Sequence, residues 1–111
     1  MATISNLYVD AGATYSNIIT VTASNGQALN LTGYSVASQM RKSYQSSTAY
    51  AFTASVYDAA NGKIRLQLTD TASAAIPAGR WLYDVEITSA SGTKTRVVEG
   101  IVTVNPQITQ I

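Results

Sequence analysis

The sequence predicts an all-β protein, a mainly antiparallel sandwich of about eight strands with one short helical crossover. Apolar and polar residues alternate with a period of two along much of the chain, as in strands that bury one face. Three short loops ending in glycine separate such segments at the spacing of β-hairpins. The 111 residues form one predicted domain, residues 1–111, because this length suffices for a single buried core.

The clearest hairpin lies in the C-terminal third, in "RWLYDVEITSASGTKTRVV". One set of alternate residues predicts its buried face: Trp81, Tyr83, Val85 and Ile87. The loop "ASG", residues 90–92, suits a type I turn followed by glycine in the left-handed region. It places Val85 opposite Val97 on the inner face. On the outer face it places Glu86 opposite Arg96, so the charges of this pair are complementary.

Two further loops predict hairpins of the same kind, "SNG" at residues 24–26 and "ANG" at residues 60–62. Each loop sets apolar residues opposite one another, and a register shifted by one residue would break that match. The predicted apolar pairs are Val21 with Leu29, Ile19 with Leu31, Val56 with Leu66 and Ala54 with Leu68. Loops of this type require positive φ at their glycines, Gly26, Gly62 and Gly92.

The remaining segments complete the predicted set of strands. Residues 34–42 and 49–57 are predicted strands, and "ISNLYVD", residues 4–10, is a predicted first strand at a sheet edge. The segment "TDTASAAIPAG", residues 69–79, breaks the alternation and predicts a short helical crossover between two sheets. In the last strand apolar groups lie on both faces, which predicts a bulge near Gly100 or burial on both sides.

Composition argues against several functional classes. The chain contains no cysteine and no histidine, so we predict no disulfide, no metal site and no cofactor. Charged residues make up 12% of the chain and the net charge is +1, which predicts binding to neither nucleic acid nor membranes. Such weakly charged surfaces lose little hydration when they dock against a neighbour.

Catalytic groups are sparse as well. Asp84 and Glu86 share a strand face, but Arg96 is predicted beside them, which favours a structural role. No glycine-rich phosphate loop is present in the sequence. We therefore predict that the protein is not an enzyme. The N-terminus "MATISNLYVDAG" resembles no signal peptide, so retention in a cytoplasm, or exit by a route that needs no signal, is expected.

The sequence predicts an interface as its functional site. Four residues are its predicted members: Arg41, Lys42, Tyr44 and Tyr57. The two cations begin a polar loop that is longer than a hairpin needs, and both tyrosines fall outside the apolar pattern. Arginine and tyrosine often anchor interfaces. A solvated, mobile loop is the alternative interpretation.

Three segments resemble small β-sandwich proteins of tailed bacteriophages: "ALNLTGYSVASQMRKSYQSSTAY", "VYDAANGKIRLQLTDTASAAIPAGRWLYDVEIT" and "TRVVEGIVTVNPQIT". The motifs that carry the resemblance are leucine-threonine-glycine-tyrosine before a strand, in the first segment, and a closing glycine-x-valine-x-valine-x-proline, in the last. The chain is also similar to the N-terminal domain of phage baseplate upper proteins, which implies an immunoglobulin-like fold.

This resemblance implies a non-enzymatic structural component of a tailed-phage virion, in the tail, baseplate or neck. Such a protein is made in the cytoplasm of the bacterial host and packs against other virion proteins or against further copies of itself. Two alternatives stay open. One is a carbohydrate-binding or host-surface-binding module, and the other is a capsid decoration protein.

Overall fold

A computed structural model describes residues 3–23 and 26–106 of the chain. Its elements are β1 (Thr3–Ile4), β2 (Leu7–Asp10), β3 (Tyr15–Thr20), β4 (Ser35–Arg41), β5 (Tyr50–Asp58), β6 (Lys63–Leu68), α1 (Asp70–Ala74), β7 (Gly79–Thr88) and β8 (Lys94–Asn105). The predicted all-β class with one short helix is confirmed.

The strands form two layers that share β5. Their order is β1–β8–β7–β4–β5–β6–β3, with β2 also beside β8. The first part of β5 pairs with β4 and its later part pairs with β6, so this strand passes from one layer to the other. We call β1, β2, β8, β7, β4 and the start of β5 the front sheet. The end of β5, β6 and β3 form the back sheet. Helix α1 connects β6 of the back sheet to β7 of the front sheet, as predicted for the crossover.

This arrangement is that of an immunoglobulin-like sandwich. In that fold the second and fifth strands, B and E, are neighbours in one sheet, while C, F and G are neighbours in the other. Here β3 and β6 take the places of B and E, and β4, β7 and β8 take those of C, F and G. The fold is therefore established by strand order, without the inter-sheet disulfide that many such domains carry.

The core lies between the two sheets. All four predicted inward residues of β7 are buried: Trp81, Tyr83, Val85 and Ile87. The back sheet contributes the alternate residues of β6, and the front sheet adds Val9, Met40, Phe52, Val98 and Val102. Tyr34 and Tyr50, which the alternation also assigns to the inside, are half-buried and pack against this cluster.

Helix α1 is held at both its start and its middle by side-chain hydrogen bonds. The Thr69 hydroxyl oxygen accepts from the Ala72 amide, so Thr69 is the N-cap of the helix. Ser73 is fully buried, accepts from the Gly12 amide and donates to the Ala13 carbonyl. These bonds fasten the crossover to the segment that joins β2 and β3.

The predicted β7–β8 hairpin is confirmed near its loop and wrong farther from it. Glu86 lies opposite Arg96 as expected, but Val85 lies opposite Val98, because Val97 is an extra residue in β8. The bulge is therefore at Val97 and not near Gly100. Gly100 keeps regular pairing and is needed for another reason: a Cβ there would collide with the Ser5 carbonyl oxygen where the N-terminal segment crosses β8.

The register predicted for the 60–62 loop is wrong by two residues. Ala54 lies opposite Leu66 and Val56 opposite Ile64, and the register shifts between Val56 and Asp58. The connection is a turn of residues 59–62, one residue longer than predicted, and the shift at Tyr57 accounts for the remaining residue. Because the error is even, every side chain still lies on its predicted face.

The 24–26 loop is confirmed only next to the turn. Thr22 bridges Ala28, and the Leu29 amide donates to the Val21 carbonyl, as the predicted register requires. Ser24 and Asn25 themselves lie outside the described residues. The pairing of Ile19 with Leu31 is wrong, since Ile19 lies opposite Ile64 in the β3–β6 ladder.

The predicted first strand is at a sheet edge but is split in two. Both pieces, β1 and β2, pair with β8 in parallel. Between them the Asn6 side-chain oxygen accepts from the Ile101 amide. That side-chain bond occupies the ladder position and interrupts the strand. The bounds of β4 and β5 agree with the predicted strands 34–42 and 49–57 to within one residue at each end.

Candidate interaction surfaces

The loop of residues 42–49 joins β4 to β5 and contains Lys42 and Tyr44, while Arg41 is the last residue of β4. Three of the four predicted interface residues therefore lie in or next to this loop. Arg41 Nη1 donates to the Ser46 carbonyl oxygen over 2.6 Å, so it holds the loop in place. Lys42 Nζ donates to the Arg80 carbonyl over 3.1 Å and lies 4.6 Å from the ring centroid of Trp81. Both cations thus have internal partners. Tyr44 is 75% exposed.

A groove of about 250 Å³ runs along the outer face of the front sheet beside this loop. We call it the front groove. Its walls include Gln39, Arg41, Tyr44, Asp84, Glu86 and Arg96. Arg96 lies opposite Glu86 in the ladder as predicted, but its ion pair is with Asp84: Arg96 Nε lies 3.1 Å from Asp84 Oδ2. An exposed aromatic ring beside planar polar side chains is a suitable lining for a polar ligand.

Tyr57 belongs to a different surface. It lies near the end of β5, whereas Tyr50 at the start of that strand adjoins the loop of residues 42–49. Tyr57 lies seven positions after Tyr50, which corresponds to roughly 23 Å along the strand. The four predicted residues are therefore divided between two sites.

The outer face of the back sheet, which we call the back face, surrounds Tyr57. Its side chains come from three strands: Ser16, Ile18, Thr20, Thr53, Ser55, Tyr57, Lys63, Arg65 and Gln67. The Arg65 guanidinium lies 4.4 Å from the ring centroid of Tyr57. Ile18 is 43% exposed and Tyr57 is 51% exposed. None of these nine residues is acidic, but Asp58 at the end of β5 lies opposite Lys63 in the ladder and places one carboxylate beside that lysine.

Sequence reasoning placed Arg65 outside the core but did not associate it with Tyr57, and it missed Ile18. A usable signal existed for Ile18. In "YSNIIT" the alternation that buries Tyr15 and Ile19 assigns Ile18 to the outer face. An isoleucine at an outward position is an exposed apolar side chain, which becomes informative only beside others of its kind.

Two tyrosines of the interior have shifted pKa values. Burial raises the pKa of Tyr83 to about 12, and burial also raises the pKa of Tyr15. The Tyr83 hydroxyl donates to the Ser5 carbonyl, which ties the N-terminal segment to β7. Both phenols stay protonated at neutral pH, and the Tyr83 hydroxyl serves as a structural hydrogen-bond donor.

The part of the chain that the structure describes contains no group of three or more Asp, Glu, His or Cys residues arranged to hold a metal ion. Its helix is too short to cross a membrane.

Similarity of this chain to known proteins is found among solved structures. No protein-family model matches it, and no curated protein matches it. Among solved structures it is similar to the N-terminal four Ig domains of Dscam1 isoform 7.44, with 17% sequence identity and a TM-score of 0.40. That match covers 95% of this chain and 23% of the other, so the chain spans about a quarter of that structure's length. These values carry no argument about function or partners.

Proposed function

We propose that this protein is a non-enzymatic structural subunit of a tailed-phage virion, in the tail, baseplate or neck, which acts by packing against other proteins. Immunoglobulin-like sandwiches serve as binding or structural modules, and their function depends on the surfaces they present. The phage assignment is supported by the three sequence segments quoted above. The packing role is supported by one structural observation, the back face.

The back face has the chemistry of a protein-binding surface. Tyrosine and arginine are the residue types most often found at the energetic centre of interfaces. Here Arg65 already lies against the Tyr57 ring, so binding would freeze little additional side-chain motion. Serine, threonine and glutamine side chains surround the pair and can form hydrogen bonds at a rim.

The charge of this face indicates what kind of partner it fits. Lys63 and Arg65 are cationic, and Asp58 opposite Lys63 is anionic, so positive charge exceeds negative charge among the described residues of this face. A partner surface with acidic residues would therefore be steered to the back face and held in register. The proposed partner is another virion protein, and the chain would be found in assembled particles.

The test of this proposal uses particles of the phage that encodes the chain. We expect mass spectrometry of purified particles to detect the wild-type protein. The double variant Tyr57→Ala, Arg65→Ala should fold, because both side chains lie on the surface, and its melting temperature should fall by only a few degrees. Its incorporation into particles should drop at least tenfold, as expected when two anchor residues are removed.

Tyr8→Ala is the matched control, since Tyr8 is a 69% exposed tyrosine on β2 in the other sheet. This variant should be incorporated normally. Purified particles that lack the wild-type protein would refute the virion role. Normal incorporation of the folded double variant would refute the back face as the contact surface while leaving the virion role intact.

The front groove supports a second candidate, a glycan-binding or host-surface-binding module. Sugars are bound by aromatic rings that stack on their apolar faces and by planar polar groups that pair with their hydroxyls. Tyr44 supplies the ring, while Gln39, Glu86 and Asp84 supply polar groups in the same groove.

A glycan array distinguishes this candidate from the structural role. If the groove binds sugars, the wild-type protein should retain a defined set of glycans and Tyr44→Ala should lose them. Arg41 is best left unchanged in this experiment, because its bond to Ser46 supports the loop. Tyr57→Ala is the control, since it lies on the back face and should bind as the wild type does. A wild-type protein that retains no glycan would eliminate this candidate.

A further inference from the structure

Strand β3 is an open sheet edge. It stands last in the strand order, and among the described residues only β6 pairs with it. Its six residues, "YSNIIT", contain no charge, no proline and no glycine. Natural proteins usually protect an edge strand with charges, proline, bulges or shortness, because unpaired backbone groups recruit other strands. None of these four protections is present along β3.

The ladder with β6 shows which backbone groups of β3 are free. The Val21 amide donates to the Gly62 carbonyl, and this bond continues the β3–β6 register. In an antiparallel ladder every second residue directs its N–H and C=O toward the partner. Tyr15, Asn17 and Ile19 therefore bond β6. The residues between them direct N–H and C=O away from the sheet: Ser16, Ile18 and Thr20.

The opposite edge of the molecule is short, interrupted and charged. It consists of β1 and β2, which are two and four residues long and separated by Ser5 and Asn6. The last residue of β2 is the charged Asp10. A partner strand could not run along this edge without meeting an interruption. The other edge of the back sheet, the later part of β5, contains an irregularity at Tyr57 and ends at the charged Asp58. Among the described strands, β3 therefore has the edge that lacks such protection.

We infer that two copies of this chain join edge to edge, β3 against β3, in antiparallel pairing about a two-fold axis at Ile18. With Ile18 opposite its own copy, Ser16 lies opposite Thr20 at both ends, and all three outward residues are paired. A shift by one residue would direct the wrong backbone groups across the gap. A shift by two would move one outward residue past the end of the other strand.

The strand is complementary to itself in its side chains as well as in its backbone. The facing pairs would be isoleucine with isoleucine and serine with threonine, so no like charges oppose each other. Ile18 would lose its exposure against its symmetry mate. This self-complementarity favours a second copy over an unrelated strand as the occupant, since a two-fold interface requires one patch that fits itself.

The dimer would fuse the two back sheets into one continuous sheet. It would double the back face and present two Tyr57–Arg65 pairs on the same side, while the front grooves stay open. The inference does not depend on the virion role, because it concerns only how two copies meet and is tested in solution.

The first test uses the absence of cysteine from the chain. In Ile18→Cys the only thiols of two copies would lie at paired positions, where Cα atoms are about 5.5 Å apart. A short bismaleimide should therefore cross-link most of the Ile18→Cys protein as a dimer under native conditions and little of it in denaturant. Tyr8→Cys is the control, because this position is exposed on the opposite edge. Equal cross-linking of both variants would overturn the inference.

The second test removes the pairing while sparing the fold. In Ile18→Pro the lost N–H points away from β6, so the existing ladder keeps its hydrogen bonds. We expect analytical ultracentrifugation to show a concentration-dependent dimer for the wild type and a monomer for Ile18→Pro, with unchanged circular dichroism. If the proline variant does not fold, Ile18→Lys places two like charges at the axis and should be monomeric. A wild-type protein that stays monomeric up to about 1 mM, the weak limit of specific association, or a folded variant that still dimerises, would overturn the inference.

Discussion

Replacing Trp81 with alanine is expected to lower the unfolding free energy by about 3–5 kcal/mol, as buried tryptophan-to-alanine changes do. Trp81 is buried at the start of β7 between the two sheets. Its ring meets Tyr50 edge to face at 5.3 Å between centroids. Alanine would lose this contact and leave a large cavity, because the surrounding strands cannot collapse to fill it.

The polar side of Trp81 adds to the effect. Nε1 donates to the Pro77 carbonyl over 3.0 Å, which ties the crossover after α1 to the start of β7. Lys42 lies over the ring at 4.6 Å, so the loop of residues 42–49 also loses a contact. A domain of this size has about 5–15 kcal/mol of total stability, and the variant would lose a large share of it.

Urea unfolding followed by circular dichroism measures this loss. Trp81→Phe is the matched control, since it keeps a ring in the core while removing the bond to Pro77. It should recover more than half of the stability that alanine loses. A loss below about 1 kcal/mol for Trp81→Ala would contradict the core position of this ring, because surface substitutions fall in that range.

Replacing Gly62 with alanine is expected to cost about 2–4 kcal/mol, through left-handed backbone strain and a steric clash together. Gly62 has φ of 66°, and a Cβ there would lie 2.6 Å from the Val21 carbonyl oxygen and 2.7 Å from that of Leu29. Both atoms belong to backbone that is fixed by hydrogen bonds, because the Leu29 amide donates to Val21 and the Val21 amide donates to Gly62. Neither can move without breaking these bonds.

Gly92 is the matched control for this experiment. It also has positive φ, 93°, but a Cβ there would meet nothing within 4 Å. Gly92→Ala should therefore cost only about 1 kcal/mol, the conformational part of the effect. Thermal unfolding of the two variants side by side separates strain from collision. Equal destabilisation of the two variants would show that the close approach of the Val21 and Leu29 carbonyls to Gly62 does not contribute to the loss of stability.

Several features of the fold could be read from the sequence because they depend on neighbours in the chain. Alternation in β7 assigned Trp81 and Val85 to the core correctly, since side chains of any strand point to opposite faces. The glycine loop at residues 90–92 set the pairing of Glu86 with Arg96 correctly, because turn geometry controls the first pairs after a hairpin.

Farther from a turn, tertiary packing decided the register. The bulge at Val97 moved Val98 opposite Val85, and the register of β5 with β6 shifted by two residues. A shift by two residues keeps the same alternation, and β8 has apolar residues on both faces, so sequence patterns do not distinguish the alternatives in either strand. The choice depends on which apolar side chains fill the space between the sheets best, and this is a property of the whole core.

The candidate surfaces, too, were determined partly by the sequence and partly by tertiary packing. The sequence by itself determined that Tyr44 and Tyr57 are exposed, because both break the apolar pattern. Tertiary structure alone decided that Tyr57 lies against Arg65 on the back sheet and that Lys42 is held by Arg80 and Trp81. It also left β3 as an open edge, since Ile19 pairs with β6 and β1 and β2 pair with β8. Such contacts join residues far apart in the chain, and they form only when the two sheets pack against each other.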